Sequence, residues 1–263
     1  MRILMVAHTF LPETRGGMEN HAFNLAQYLM SQGHQVAMFY RFRDRDLEEY
    51  QLFEDEWEGM RMFKFVRNYR NPMPTPFPFY DRQAEVVFEG VLDTYQPDLV
   101  HFHHLADLST TLPAAAKRQD LPIMATIHDF WPLCFMSHLR TPDGIVCPGP
   151  DEGLRCVECL WKKQMEIYEP VNIRTRAREL GAWESIRRAP RFAADWLYAR
   201  MAAGNAHSTH ANLRNEMVAL TARNDHMRRV HTEFDVMISP SRFLIEKFAE
   251  WGVPESHFRH LCN

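Results

Sequence analysis

Short apolar runs alternate with helical periodicities through the first half of the chain. Arg2 to Ala7 is an almost unbroken apolar run, the pattern of a strand buried on both faces of a parallel sheet. Met18 to Gln32 sets Phe23, Leu25, Ala26, Leu29 and Met30 on one side of a helix, and Gly33 closes it. Gln35 to Tyr40 and Met60 to Val66 read as strands, separated by polar sequence. The proline-rich NPMPTPFPF from Asn71 cannot join a ladder and reads as a loop. Tyr80 to Tyr95 (helix), Asp98 to His103 (strand), Leu108 to Arg118 (helix) and Ile123 to Ile127 (strand) complete the alternation. Such alternation predicts an α/β fold, a Rossmann-like parallel sheet flanked by helices. From Leu160 to about Thr232 strand signal nearly vanishes, and helical stretches rich in Arg, Ala and Met predict a helical insertion over 161–232. Val236 to Ser239 restores a strand, Arg242 to Trp251 an amphipathic helix ended by Gly252 and Pro254, and His257 to Cys262 begins a further strand.

Composition adds compartment and partner expectations. With 263 residues and 46% apolar content the chain can bury a substantial core. A net charge of −4 gives no global reason for a nucleic-acid partner. The charge is unevenly spread, however. Residues 161–263 carry 16 Lys/Arg against 12 Asp/Glu, and residues 1–160 carry 14 against 22, so the later part favours a local anionic neighbour. No apolar run approaches the roughly 18 residues of a membrane span, and the first apolar run is too short for a secretory leader. The expectation is a cytoplasmic protein whose five cysteines are thiols or metal ligands rather than disulfides.

Ligands of open parallel sheets bind at the carboxyl ends of the strands, and the polar groups of this sequence gather there. His8, Thr9 and the turn PETRGGMEN follow the first strand; His103 and His104 follow the Asp98 strand; His128 and Asp129 follow the Ile123 strand. Gly16 and Gly17 open a helix, where glycine lets a ligand approach the backbone and the helix dipole favours an anion. A plain flexible turn is the alternative. The G-x-G-x-x-G and G-x-x-x-x-G-K patterns are absent, which disfavours NAD as a cofactor and a P-loop nucleotidase.

Two further stretches carry chemistry of their own. Cys134, Cys147, Cys156 and Cys159 form C-x12-C-x8-C-x2-C in a Cys-rich loop over 130–160, too poor in apolar residues to fold unaided. Four thiolates suit a structural zinc, with His138 a substitute ligand and free thiols or an iron-sulfur cluster as alternatives. Val171 to Ala203 holds seven arginines against three acids with tryptophans interleaved, a composition that suits an anionic lipid surface, a helical hairpin covering the sheet or an oligomer contact.

Gly16-Gly17-x-Glu19 before a helix, Leu25-Ala26 to Gly33-His34-x-Val36, Pro97-Asp98-Leu99-Val100-His101, Thr126-x-His128-Asp129, and Phe234 to Ser241 occur in the order and spacing of one known group. The chain resembles the N-terminal half of GT-B family 4 glycosyltransferases. The resemblance implies a retaining, nucleotide-sugar-dependent hexosyltransferase of glycan or glycoconjugate biosynthesis, in which residues 1–263 form the Rossmann-like domain that shapes the acceptor site. A C-terminal donor-binding domain would lie beyond Asn263, and this chain alone is expected to be inactive. Within the resemblance Gly16, Gly17 and Glu19 form the donor-phosphate turn, and His128 is the active-site histidine. Asp129 either orients His128 or caps the following turn, and His103 and His104 line the acceptor pocket, one of them pointing away if the alternation of the strand continues. The donor is a nucleotide-diphosphate sugar, and the acceptor a glycan or a lipid-linked molecule reached at the cytoplasmic membrane face through residues 171–203. A non-catalytic binding module, or one subunit of a split enzyme, is the rival reading.

Overall fold

The computed structural model describes residues 1–44, 46–68, 80–141, 143–150, 155–157, 159 and 209–262. The proline-rich stretch from Asn71 and the basic segment 171–203 lie outside the described residues. The chain divides into two compact units, one comprising Met1–Leu139 and Arg223–Asn263, the other Arg140–Ala222.

The first unit is built on one eight-stranded sheet. Its elements are β1 (Arg2–Ala7), α1 (Gly17–Ser31), β2 (Gln35–Phe42), β3 (Leu52–Trp57), β4 (Met60–Val66), α2 (Arg82–Tyr95), β5 (Leu99–Phe102), α3 (Leu112–Arg118) and β6 (Ile123–Thr126). A long helix α4 (Thr209–Thr232) contributes residues 223–232, followed by β7 (Val236–Ser239), α5 (Arg242–Glu250) and β8 (Phe258–His260). The strand order is β3-β4-β2-β1-β5-β6-β7-β8. Pairing is parallel from β4 to β8, and β3 alone runs antiparallel against β4.

Burial on both faces explains the apolar runs. In β1, Leu4 and Val6 face one core with Phe39, Phe88 and Phe102, whereas Ile3, Met5 and Ala7 face a second core beneath α1 with Ala22 and Ala26. Local chemistry sets the helix ends. Asp81 caps α2 by accepting from the amides of Gln83 and Ala84 at 3.0 and 3.1 Å. Its other oxygen pairs with the buried Arg67, which ties the end of β4 to the start of α2. Gly33, at φ +84°, ends α1 in the left-handed conformation that glycine adopts freely.

The one strand missed in sequence is β3. Its sequence LFEDEW is apolar only at its ends, because it is an edge strand with its central residues exposed. The readable signal was the turn instead. Glu58 and Gly59 both take positive φ (51° and 76°) between Trp57 and Met60, the two-residue hairpin geometry that glycine promotes.

Candidate functional site

Beside β1 the sheet reverses its order of assembly: the chain moves outward to β2 on one side and returns to β5 on the other. Loops leaving β1 and β5 diverge at such a switch point and leave a crevice at the carboxyl ends of the strands. The diglycine turn and most of the histidines singled out in sequence belong to that end.

The turn after β1 leads into α1 with Gly16 as N-cap, and no side chain caps the helix. Glu19, only 5% exposed, turns back into the turn, where its carboxylate accepts a hydrogen bond from the Thr9 hydroxyl. A methyl group at Gly16 would come within 2.5 Å of Glu19 Oε2, so a side chain here would have to displace that carboxylate from its place in the turn. At Gly17 a methyl would meet nothing within 4 Å. The first turn of α1 therefore presents open space over Gly17, braced from below by Glu19.

On the α1 face of the sheet stands a group of imidazoles. His101 and His103 alternate with Phe102 along the β5 direction and so share one face, their rings 4.2 Å apart. His101 Nε2 lies 2.8 Å from the Thr126 hydroxyl of β6. His103 Nδ1 lies 3.1 Å from His128 Nε2, just beyond β6. His21, one turn into α1, brings its ring to 5.1 Å from His128 and 5.9 Å from His103. Burial pushes His101 down to about 3 and His128 to about 4, and holds His103 and His21 below the ordinary imidazole range. These rings are neutral at pH 7. The His103 Nε2 atom is buried without a partner. A buried acceptor without a partner is tolerated better than a buried N–H, so we assign the shared proton to His103 Nδ1, donated to His128 Nε2. The His128 Nδ1–H is then the donor of that ring.

The opposite face holds His8, His104, Asp129 and Trp131. The Ala106 amide donates to His104 Nδ1 at 3.1 Å, so the proton of His104 is on Nε2, which faces Asp129 Oδ2 at 3.4 Å. Asp129 Oδ1 accepts from the Trp131 amide at 2.8 Å. Burial opposes the charge on Asp129, but these donors outweigh it and hold the carboxyl below the usual carboxylate range. The ring of His8 packs 4.3 Å from that of His104, and burial pushes His8 down to about 3. Among the described residues Asp129 thus engages His104 and the following turn. A cavity of about 30 Å³ opens here among His104, Asp129, Trp131, His231 and Phe234, room for about one water.

Sequence reading missed two functional neighbours. Arg223 of α4 is fully buried and donates to the carbonyls of Trp131 (2.7 Å) and Pro132 (3.1 Å), bracing the segment after His128 and Asp129. Its sequence context is an ordinary arginine-rich helix, with no signal of burial. His21 looked like one polar residue of an amphipathic helix; its position on the turn facing β5 and β6 was the available clue.

The cysteines divide between the units. Cys134 lies in the first, and Cys147, Cys156 and Cys159 in the second. In the second unit the Gly149 amide donates to the Cys147 sulfur at 3.5 Å, and Cys156 and Cys159 lie on one helical turn. None of the five cysteines is in a disulfide. Among the described residues no helix is long and apolar enough to cross a membrane.

Several solved structures align with part or most of the chain. Sucrose-phosphate synthase from Thermosynechococcus elongatus aligns at 15% identity over 49% of this chain and 33% of its own, with a TM-score of 0.37. Anabaena HepE, solved with UDP and glucose, aligns at 10% identity over 99% of this chain and 44% of its own (TM-score 0.41), and UDP-GlcNAc 2-epimerase from Methanocaldococcus jannaschii at 8% over 99% and 45% (TM-score 0.42). The chain spans a third to just under half the length of these structures. No curated protein matches at a significant level. The family profile described as Glycosyltransferase Family 4 matches residues 15–152, from the diglycine turn through β6 and the His128 segment. The chain belongs to glycosyltransferase family 4.

Proposed function

We propose that residues 1–263 form the acceptor-side domain of a retaining glycosyltransferase, whose nucleotide-diphosphate sugar is gripped between this domain and a separate donor-binding domain. The observation that carries this reading is the contact of His21 with His128, because it sets the start of α1 and the end of β6 on one crevice. Departure of a nucleoside diphosphate builds negative charge. The amides at Gly16 and Gly17 and the positive end of α1 suit that charge, and the open space over Gly17 suits the approach. His128, neutral and with Nδ1–H outward of its bond to His103, suits a hydroxyl of the transferred sugar or of the acceptor, as a hydrogen-bond partner rather than a cation. In this reading Glu19 braces the turn, Asp129 holds His104 on the opposite face of the sheet, and the buried His103 backs His128 from within the crevice wall. Without the donor-side wall the chain is inactive.

Two further elements belong to the same reading. A structural zinc would steady the Cys-rich loop through the thiolates of the second unit, Cys147, Cys156 and Cys159; the amide donated to the Cys147 sulfur is the kind of bond that steadies a thiolate ligand. Residues 171–203 would rest on anionic lipid at the cytoplasmic face, bringing a lipid-linked acceptor within reach, and flotation with anionic liposomes should then weaken as salt rises.

The decisive test uses the protein carrying both walls of the cleft. His128→Ala lowers kcat for sugar transfer by about 100-fold or more while the melting temperature stays within a few degrees of wild type. An unchanged kcat removes His128, and with it this assignment of the crevice.

A further inference from the structure

Among the described residues, one group of side chains has the geometry to share a metal ion. One nitrogen from each of His21, His103 and His128 lies within 4.8 Å of the other two. We propose that these three imidazoles form a binding site for a divalent transition metal of the zinc class. The inference goes beyond sugar transfer and stands on the side chains alone.

Three observations carry it. The first is spacing. Two nitrogens bound tetrahedrally to zinc at roughly 2.0–2.1 Å are about 3.3 Å apart, and His103 Nδ1 and His128 Nε2 stand 3.1 Å apart already. The His21 nitrogen stands within 4.8 Å of both, and its half-buried ring would have to move closer to complete the set. The second is satisfaction. A metal here would displace no hydrogen bond of the His21 ring among the described residues, and at the other two rings it would replace the His103–His128 bond with ligation of the same two nitrogens. The third is chemistry. The set is three nitrogens without a carboxylate. Imidazole suits zinc, copper, nickel or cobalt, whereas magnesium and calcium require oxygen.

Three protein ligands leave a fourth position for water or a substrate oxygen. His21 and His128 are only partly buried, so an ion can enter between them. A bound metal would take both nitrogens of the present His103–His128 hydrogen bond. It would also clamp α1 to the ends of β5 and β6.

The experiment separates this site from the cysteines. Chelator-stripped chain carrying Cys156→Ser and Cys159→Ser is titrated with Co²⁺ and Zn²⁺. It should take up one equivalent, with visible Co²⁺ bands and no sulfur charge-transfer band in the near ultraviolet, and Mg²⁺ should not compete. Adding His21→Ala should weaken binding about 100-fold or more. His21 is half-buried on a helix, where alanine is the better helix former, so that variant should keep its circular dichroism and its melting temperature without metal. Zinc should raise the melting temperature of the parent and leave the His21→Ala protein unmoved. Equal uptake with and without His21, or no uptake by the cysteine-substituted chain, overturns the site and leaves the plain His103–His128 hydrogen bond. Neither result bears on whether His128→Ala loses kcat.

Discussion

The two walls of the crevice are built from different materials. The turn at Gly16 to Glu19 is backbone and space: one glycine excludes a side chain because Glu19 fills its place, and the next leaves room above it. The wall at β5 and β6 is side chain, with neutral imidazoles packed ring against ring and held by buried partners. The first wall can change its ligand affinity without changing the fold. In the second, His101 and His103 are part of the core, and only the half-buried His128 at its rim can be changed with little cost to the fold.

The largest effect should come from the brace behind the imidazole wall. Arg223→Ala leaves the carbonyls of Trp131 and Pro132 without their buried donor, which should cost about 2–4 kcal/mol by urea denaturation. A loss under about 0.5 kcal/mol would mean that the segment after His128 holds its place without α4.

Acid should come next. His101, His103 and His128 are depressed in the folded state relative to the ordinary imidazole value of 6.5. Between pH 6.5 and about 4 the unfolded chain therefore binds protons that the folded chain does not. Stability is fully present above pH 6.5 and is lost as the pH falls through that window, at up to about 1.4 kcal/mol per group and pH unit. Melting temperatures across pH 7.5 to 5 should fall steadily, and less steeply in His101→Gln. A flat profile would mean that the rings are protonated in the native state.

At the backbone wall the effects are smaller and opposite in sign. Gly16→Ala drives a methyl into Glu19 and should cost about 1–3 kcal/mol unless the carboxylate swings away from Thr9. Gly17→Ala should be neutral or stabilise by up to about 1 kcal/mol, because its φ is compatible with alanine and the unfolded chain loses freedom. Equal costs at the two glycines would erase the distinction between them.

The legibility of the sequence follows the same division. β1, buried on both faces, announced itself as an apolar run, and β4 and β7 also begin and end where the sequence placed them. Edges were harder: β3 hides a strand within charged residues, and β5 and β6 stop a residue or so short of the polar groups that follow them. The start of α3 was placed early: Leu108 to Thr111 is buried without being helical, its three hydroxyl residues included. At the site, the residues that follow strands directly (His103, His104, His128, Asp129) were readable from position. The partnerships were not. Asp129 with His104, His21 with His128, and Arg223 with Trp131 each join residues from different elements, and only the folded sheet determines which of them meet.

The claim on which the account rests is that a donor sugar nucleotide passes close over the start of α1, facing His128. Gly17→Ala tests it most directly, since the substitution has free space around it and leaves the protein's own packing untouched. In the enzyme with both walls present, we predict a tenfold or greater fall in kcat/KM for the nucleotide sugar with an unchanged or raised melting temperature. Wild-type kcat/KM in that variant would contradict the claim.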